Sequence, residues 1–187
     1  FGPLTQKLLA AARSGPFAQA LDIGCGAGEI SLTLAAGAPS SHVLGVDISD
    51  DLLQVARVRG KDRPNLRFEL ANAANWYAGA AERPDLVVSR HGVMFFADPT
   101  AAFTHIAGQA APGARLAFSC FRERADNIWA RELASIAPPG EEPAPDPEAP
   151  GPFAFGRRER TETLLAQSGW TDIAFEAVDY GMVAGQG

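Results

Sequence analysis

Glycines occupy every second position of Gly24-Cys25-Gly26-Ala27-Gly28, directly after the short apolar run from Ala20 to Ile23. A residue without a Cβ lets the backbone take positive φ or lets a ligand touch the main chain. A helix opening just beyond such a turn offers N–H groups that have no intrahelical partner. The pattern points to a small molecule held against backbone, although a tight turn alone also asks for glycine. A second apolar run, His42 to Asp47, ends in an acid 23 residues after Gly24. That is where an α/β nucleotide fold sets a carboxylate against the two ribose hydroxyls. Asp47 is the candidate for that contact; the alternative is a capping or solvated strand-end acid, although Ser49, Asp50 and Asp51 suffice to cap the next helix.

Two nucleotide chemistries use this layout. A dinucleotide fingerprint asks for a glycine five residues after the first, where a helix packs on its strand, and the chain has Glu29 there. A carboxylate in the first helical turn repels a pyrophosphate. S-adenosylmethionine carries no phosphate and has a cationic sulfonium, so it fits better than NAD, and a nicotinamide-dependent reductase is the weaker alternative.

Four motifs in order, between about Leu21 and Val178, resemble the class I S-adenosylmethionine-dependent methyltransferases. Leu21-Asp22-Ile23-Gly24-Cys25-Gly26-Ala27-Gly28 is similar to the family's first motif, and Val46-Asp47-Ile48 to its second. The resemblance implies that Asp22, Gly24, Cys25, Gly26 and Gly28 border the cofactor, that Asp47 binds ribose and that Ile48 lies against adenine. Leu66 to Ala73 resembles the third motif, with Asn72-Ala73 where the family usually has Asp-Ala. The Asn72 side-chain oxygen can still accept from the adenine amino group. The run Leu86 to Phe96 resembles the branch that contains quinone and related small-molecule methyltransferases. The implied activity is transfer of a methyl group from S-adenosylmethionine to a small-molecule acceptor, releasing S-adenosylhomocysteine. A non-catalytic S-adenosylmethionine- or nucleotide-binding module fits the same motifs.

The sulfonium methyl is already electrophilic, so the protein has mainly to align the acceptor and exclude water. Ser89, Arg90 and His91 end the fourth strand and should approach the methionine end of the cofactor. His91 is the candidate base, with an ascending pH limb near 6 to 7 as its signature; a polar residue bonding a nearby turn is the plainer reading, and no residue is assigned a catalytic role. His42 reads as a strand-edge residue and His105 as a helix-surface residue. Met94, Phe95 and Phe96 fit either an apolar acceptor site or the core. No cluster of metal-ligand type stands out.

The remaining composition fits one enzyme domain. A length of 187 residues is enough for a proper core. The net charge of −6 and the lack of a Lys/Arg-rich tract argue against nucleic acid as the main partner. No run is apolar enough to span a bilayer and no leader pattern is evident, which makes the cytoplasm the default location.

Strands are expected near 19–24, 42–47, 66–70, 85–89, 114–121 and 171–178, and helices near 3–12, 28–37, 50–59, 99–110, 125–136 and 157–168. Alternation of the two implies a doubly wound, mostly parallel α/β sheet. The resemblance implies a Rossmann-like order 3-2-1-4-5 and then 6. Asp98-Pro99 reads as a cap and first helical position, and Gly60 and Gly169 as left-handed helix ends. In that order Cys25 and Cys120 lie about two strand spacings of 4.8 Å apart, too far for a disulfide. Both are expected as free thiols, with a reactive Cys25 the lesser possibility.

Residues 138–152 hold seven of the fourteen prolines, four acids and no Lys or Arg. Such a stretch cannot enter a helix or a sheet interior. It reads as a solvated linker or, more sharply, as an arm that shapes the acceptor pocket with Trp129 and Phe153 to Phe155. The family's sheet normally carries a seventh, antiparallel strand, and the glycine-rich residues 179–187 are poor material for it. The expectation is a single domain, 1–187, that is a portion of a longer polypeptide. Without that seventh strand, the fifth and sixth would either pair with each other or leave unpaired edges that favour association with another chain, such as a homo-oligomer.

Overall fold

The computed structural model describes residues 2–136, 146 and 149–181. Its elements alternate as the hydrophobic pattern implies: α1 Gly2–Ala12, β1 Gln19–Ile23, α2 Glu29–Gly37, β2 His42–Asp47, α3 Asp50–Gly60, β3 Leu66–Leu70, β4 Leu86–Arg90, α4 Pro99–Gln109, β5 Arg115–Ser119, α5 Ile128–Ile136 and α6 Arg158–Gln167. The sheet order is β3-β2-β1-β4-β5. All four pairings are parallel, with Leu21 of β1 facing Leu44 on one side and Val87 on the other.

Alternation along each strand decides which layer each side chain joins. Leu21, Ile23, Val46 and Val87 pack with Phe103 and Ile106 of α4 and Leu164 and Leu165 of α6. Ala20, Val43, Leu86 and Val88 pack on the opposite face with Leu8 and Leu9 of α1 and Ile30 and Leu34 of α2. With both faces covered, the central strands lie in the interior, which is why they read as mostly apolar runs, broken by the buried Asp22 in β1 and Ser89 in β4.

Several helix ends follow local chemistry. The Asp98 carboxylate accepts from Ala101 N at 2.9 Å with Pro99 in the first helical turn, and Gly169 takes φ +89 beyond α6. Gly60 departs from expectation: it stays right-handed inside α3, and a Cβ there would meet Phe68 at 3.0 Å and Leu66 at 3.1 Å. Its smallness lets α3 close on β3. The helix expected from 125 begins only at Ile128, behind a 3-10 turn at Arg124–Asp126, where Asn127 donates to the carbonyls of Arg122 and Glu123.

The sixth strand is the main correction. Residues 171–178 form no ladder with β5, whose only partner among the described residues is β4. The segment is fastened by side chains instead: Trp170 Nε1 donates to Phe103 O, Lys7 pairs with Glu176, Arg122 with Asp179, and Arg158 lies over the Phe175 ring. Asp172 takes a left-handed φ of +54. An alternating pattern sets which face a side chain takes but supplies no hydrogen-bonding neighbour.

Most of the proline-rich arm, residues 138–145 with 147 and 148, and the chain end at 182–187, lie outside the described residues. Among those described, no helix is long and apolar enough to cross a membrane.

Candidate functional site

The loop after β1 is built by three glycines, each required for a different reason. Gly24 takes φ +65, and a Cβ on it would lie 2.7 Å from Gly92 Cα. Gly24 is therefore where the loops after β1 and β4 touch backbone to backbone. Gly28, at φ +82, would drive a Cβ to 2.8 Å from the Phe68 ring, so it serves the packing of α2 against β3. Gly26, at φ +54, meets only Leu52 Cδ1 at 3.9 Å. Its outer side is open.

Asp47 ends β2 and shapes that loop directly. One carboxylate oxygen accepts from Gly26 N at 2.7 Å and the other from Ser49 N at 2.9 Å. A carboxylate has about four lone-pair positions, so both oxygens retain capacity for a diol. Gly24 N and Cys25 N donate to Val46 O, tying the loop to β2 on the other side.

Asp22 lies beneath the loop, 1% exposed. Ser31 Oγ donates to its Oδ2 at 2.5 Å, while the buried Oδ1 has no hydrogen-bond partner among the described residues. Burial raises the carboxyl to about 7; the bond from Ser31 and the charge of Arg90 oppose the rise, and Asp47 adds to it. Burial also pushes the Cys25 thiol far up, helped by the charges of Asp22 and Asp47. The thiol stays protonated and inert. Both cysteines are free, as expected.

Across from the loop, Arg90 ends β4 and reaches Glu29 Oε2 at 2.6 Å and Thr5 Oγ1 at 2.8 Å. The acid that disfavours pyrophosphate is thus held in an ion pair spanning α2 and β4. Ser89 bonds inward, to backbone. Fully buried, it donates to Ile23 O at 2.8 Å and accepts from Gly92 N and Val93 N. His91 takes φ +65, donates its backbone N–H to Ser119 O and stacks its ring on Phe121 at 4.5 Å. Burial first, then the Arg90 charge, lowers His91 to about 4. Burial thus favours the neutral imidazole at physiological pH, and a limb near pH 6 to 7 is not expected from it.

Asp22, Gly24, Cys25, Gly26 and Arg90 line one cleft of about 240 Å³, together with Glu29 and His91. Gly28, Asp47, Ile48, Asn72, Ala73 and Ser89 do not line it. Asp47 is one hydrogen bond away through Gly26. Ile48 is 76% exposed beyond the end of β2, Asn72 accepts from Ala74 N at 3.0 Å in its own turn, and Ala73 is buried in the core.

Beyond His91 the rings continue. Phe121 packs on Trp129 at 5.5 Å, Trp129 stacks on Phe153 at 5.7 Å, and Arg124 lies over Phe153 at 5.1 Å. Gly151 N donates to Met94 O, tying the described end of the arm to the loop after β4. Met94 and Phe96 belong to the core, and Phe95 is exposed. His42 is exposed on its strand; His105 is half-buried, its Nε2 2.6 Å from Trp76 O. Sequence reasoning misses Gly92, Ser31 and the Glu29–Arg90 pair. Only Gly92, a glycine just past a strand at the reversal of strand order, leaves a readable sign.

The residues present fit S-adenosylmethionine. An unpartnered buried carboxylate oxygen suits the ammonium group of an amino-acid end, the bare face of Gly26 admits a ligand against backbone, and Asp47 has acceptor capacity for a ribose. Among the described residues no group of side chains could hold a metal ion.

Comparison with known proteins agrees. The family model of a methyltransferase domain matches residues 20–113, half of the chain. A trans-aconitate 2-methyltransferase of Variovorax paradoxus is 31% identical over 164 residues, covering 88% of this chain and 58% of the relative. One from Methylobacterium radiotolerans is 37% identical over 98 residues, 52% of this chain and 36% of the relative. The chain therefore spans only part of the curated relatives it matches. In fold it is similar to phosphoethanolamine N-methyltransferase 2 of Haemonchus contortus, solved with S-adenosyl-L-methionine, at a TM-score of 0.65 and 21% identity over 89% of this chain and 37% of that one. The matched domain, the strand order and the glycine loop with its acid together place this chain in the class I S-adenosylmethionine-dependent methyltransferase family.

Proposed function

We propose that this chain transfers the methyl group of S-adenosylmethionine to a small-molecule acceptor docked at the carboxyl ends of β4 and β5. The observation that carries the reading is the cleft in which the open face of Gly26, the buried Asp22 oxygen and the Asp47-braced loop meet. S-adenosylmethionine supplies an electrophilic methyl on a positively charged sulfur. Asp47 and the backbone around Gly26 would hold the ribose side, Asp22 and Arg90 the amino-acid end, and Ile48 and Asn72 the adenine. His91, Phe121 and Trp129 wall the acceptor side with half-buried rings, which hold water back and fix orientation. Orientation is the main contribution here, since the neutral His91 is a weak base.

The names of the relatives put small polycarboxylic acids among the first acceptors to try, and Arg122 and Arg124 are exposed cations near the ring cluster. The net charge of −6 speaks against a nucleic-acid acceptor. We assign the protein to the cytoplasm and read residues 138–152 as an arm of the same domain.

An acceptor screen scored by S-adenosylhomocysteine release tests the reading, with Gly26→Val as the control that fills the open face. Turnover by the native chain and none by the variant is the expected result. Binding of S-adenosylhomocysteine with no turnover on any acceptor would make the chain a binding module; competition by NAD for the cleft would favour a reductase.

A further inference from the structure

We infer that Ser31 is a positioning residue of the cofactor site, holding Asp22 Oδ2 so that Oδ1 and its charge remain available to the ammonium group of the ligand's amino-acid end. The inference rests on the cofactor reading of the cleft and adds a residue outside its lining. Ser31 is fully buried on α2. A helical serine or threonine ordinarily bonds the carbonyl one turn back, as Thr33 does here to Glu29 O at 2.8 Å. Ser31 instead donates across to β1, reaching Asp22 at 2.5 Å.

The space for that geometry is made by a third strand. Gly45 of β2 is not at a positive φ, so no backbone conformation demands glycine there. A Cβ on Gly45 would lie 2.8 Å from Ser31 Oγ, 2.9 Å from Cys25 Sγ and 2.7 Å from the Phe68 ring. The missing side chain is what lets Ser31 sit beneath Asp22. Three elements thus converge on one carboxylate: β1 bears it, α2 supplies its side-chain donor, and β2 leaves room.

The electrical surroundings give this bond leverage. The charged and titratable groups around Asp22 are Arg90 and His91 from the end of β4, Asp47 from β2, Glu29 from α2 and Cys25 from the loop. His91 is held to about 4 and Cys25 is pushed far up, so neither changes charge across the neutral range. Asp22 does, at about 7, with the Ser31 hydroxyl the largest influence opposing burial. Without that donor the carboxyl moves higher, and at neutral pH more of the protein carries an uncharged Asp22.

The test is calorimetric titration of the full chain with S-adenosylhomocysteine across the neutral pH range, comparing the native protein with Ser31→Ala, which removes the donor at nearly equal volume, and with Ser31→Cys, which leaves only a weak donor. A second ligand, 5′-methylthioadenosine, lacks the amino-acid end. Affinity for S-adenosylhomocysteine should fall as pH drops through a midpoint near that of Asp22. In both variants this midpoint should move up by about one pH unit or more, giving about fivefold weaker binding at neutral pH. Binding of 5′-methylthioadenosine should stay unchanged. An unmoved midpoint in the folded variants, or an equal loss for both ligands, overturns the positioning role. If the native chain binds neither ligand, the cofactor reading itself fails, and that outcome is distinct from the other two.

Discussion

Replacing Asp22 with Asn should stabilise the fold more at alkaline than at acidic pH, and the sign follows from burial. In the folded chain the carboxyl titrates at about 7 instead of 3.8, chiefly because it is cut off from water. Between those values the folded state keeps a proton that the unfolded chain has released. Its contribution to stability is complete below about pH 4, is lost as pH rises to about 7 and is constant above that. The displacement of about three pH units corresponds to about 4 kcal/mol. Asn does not titrate, so this loss disappears, while its buried amide brings new donors at a pH-independent cost of about 1 to 3 kcal/mol. Comparing variant and native chain at two pH values cancels that cost. Between about pH 5 and pH 8 the difference should change by about 2.5 kcal/mol in favour of Asn. Urea denaturation at both pH values, analysed with a common slope, measures it. A stability difference that is the same at both would refute the account of Asp22 as a desolvated acid. The same substitution should weaken S-adenosylhomocysteine, so at alkaline pH stability and binding move in opposite directions.

Asp47→Ala should lower S-adenosylhomocysteine affinity at least tenfold, because it removes the acceptors we propose for the ribose, worth about 1.5 to 3 kcal/mol, and also frees Gly26 N and Ser49 N; an unchanged Kd by calorimetry would take Asp47 out of the site. Gly92→Ala should cost about 1 to 3 kcal/mol in a denaturation experiment, since its Cβ would lie 2.5 Å from Ile23 O and 2.8 Å from Gly24 Cα. A native-like melting temperature would show that the two loops tolerate separation. His91→Gln should leave the shape of the pH–turnover profile near pH 6 to 7 unchanged, as His91 is already neutral there. Loss of an ascending limb in that range would restore His91 as the base.

What the chain reveals by itself is the part governed by local pattern. Glycine at every second position after β1, an acid at the end of β2 and mostly apolar runs for β1 and β4 are short-range consequences of φ, capping and alternation. With the family resemblance they carry, they suffice for the strand order, the cofactor class and the two free cysteines. Gly28 shows what pattern reading leaves out: its spacing marks it as a ligand glycine, and packing adds that a Cβ there would lie 2.8 Å from Phe68. Residues 171–178 alternate as a strand would, yet a strand exists only with a hydrogen-bonding neighbour, which no local pattern specifies. The fold alone set the state of the site. The titration of Asp22 and His91 depends on how much water the assembled layers exclude, and Ser31, Gly45 and Gly92 matter through contacts with segments distant in sequence. Desolvation and close approach are properties of the packed chain, and no stretch of sequence carries them before three elements meet.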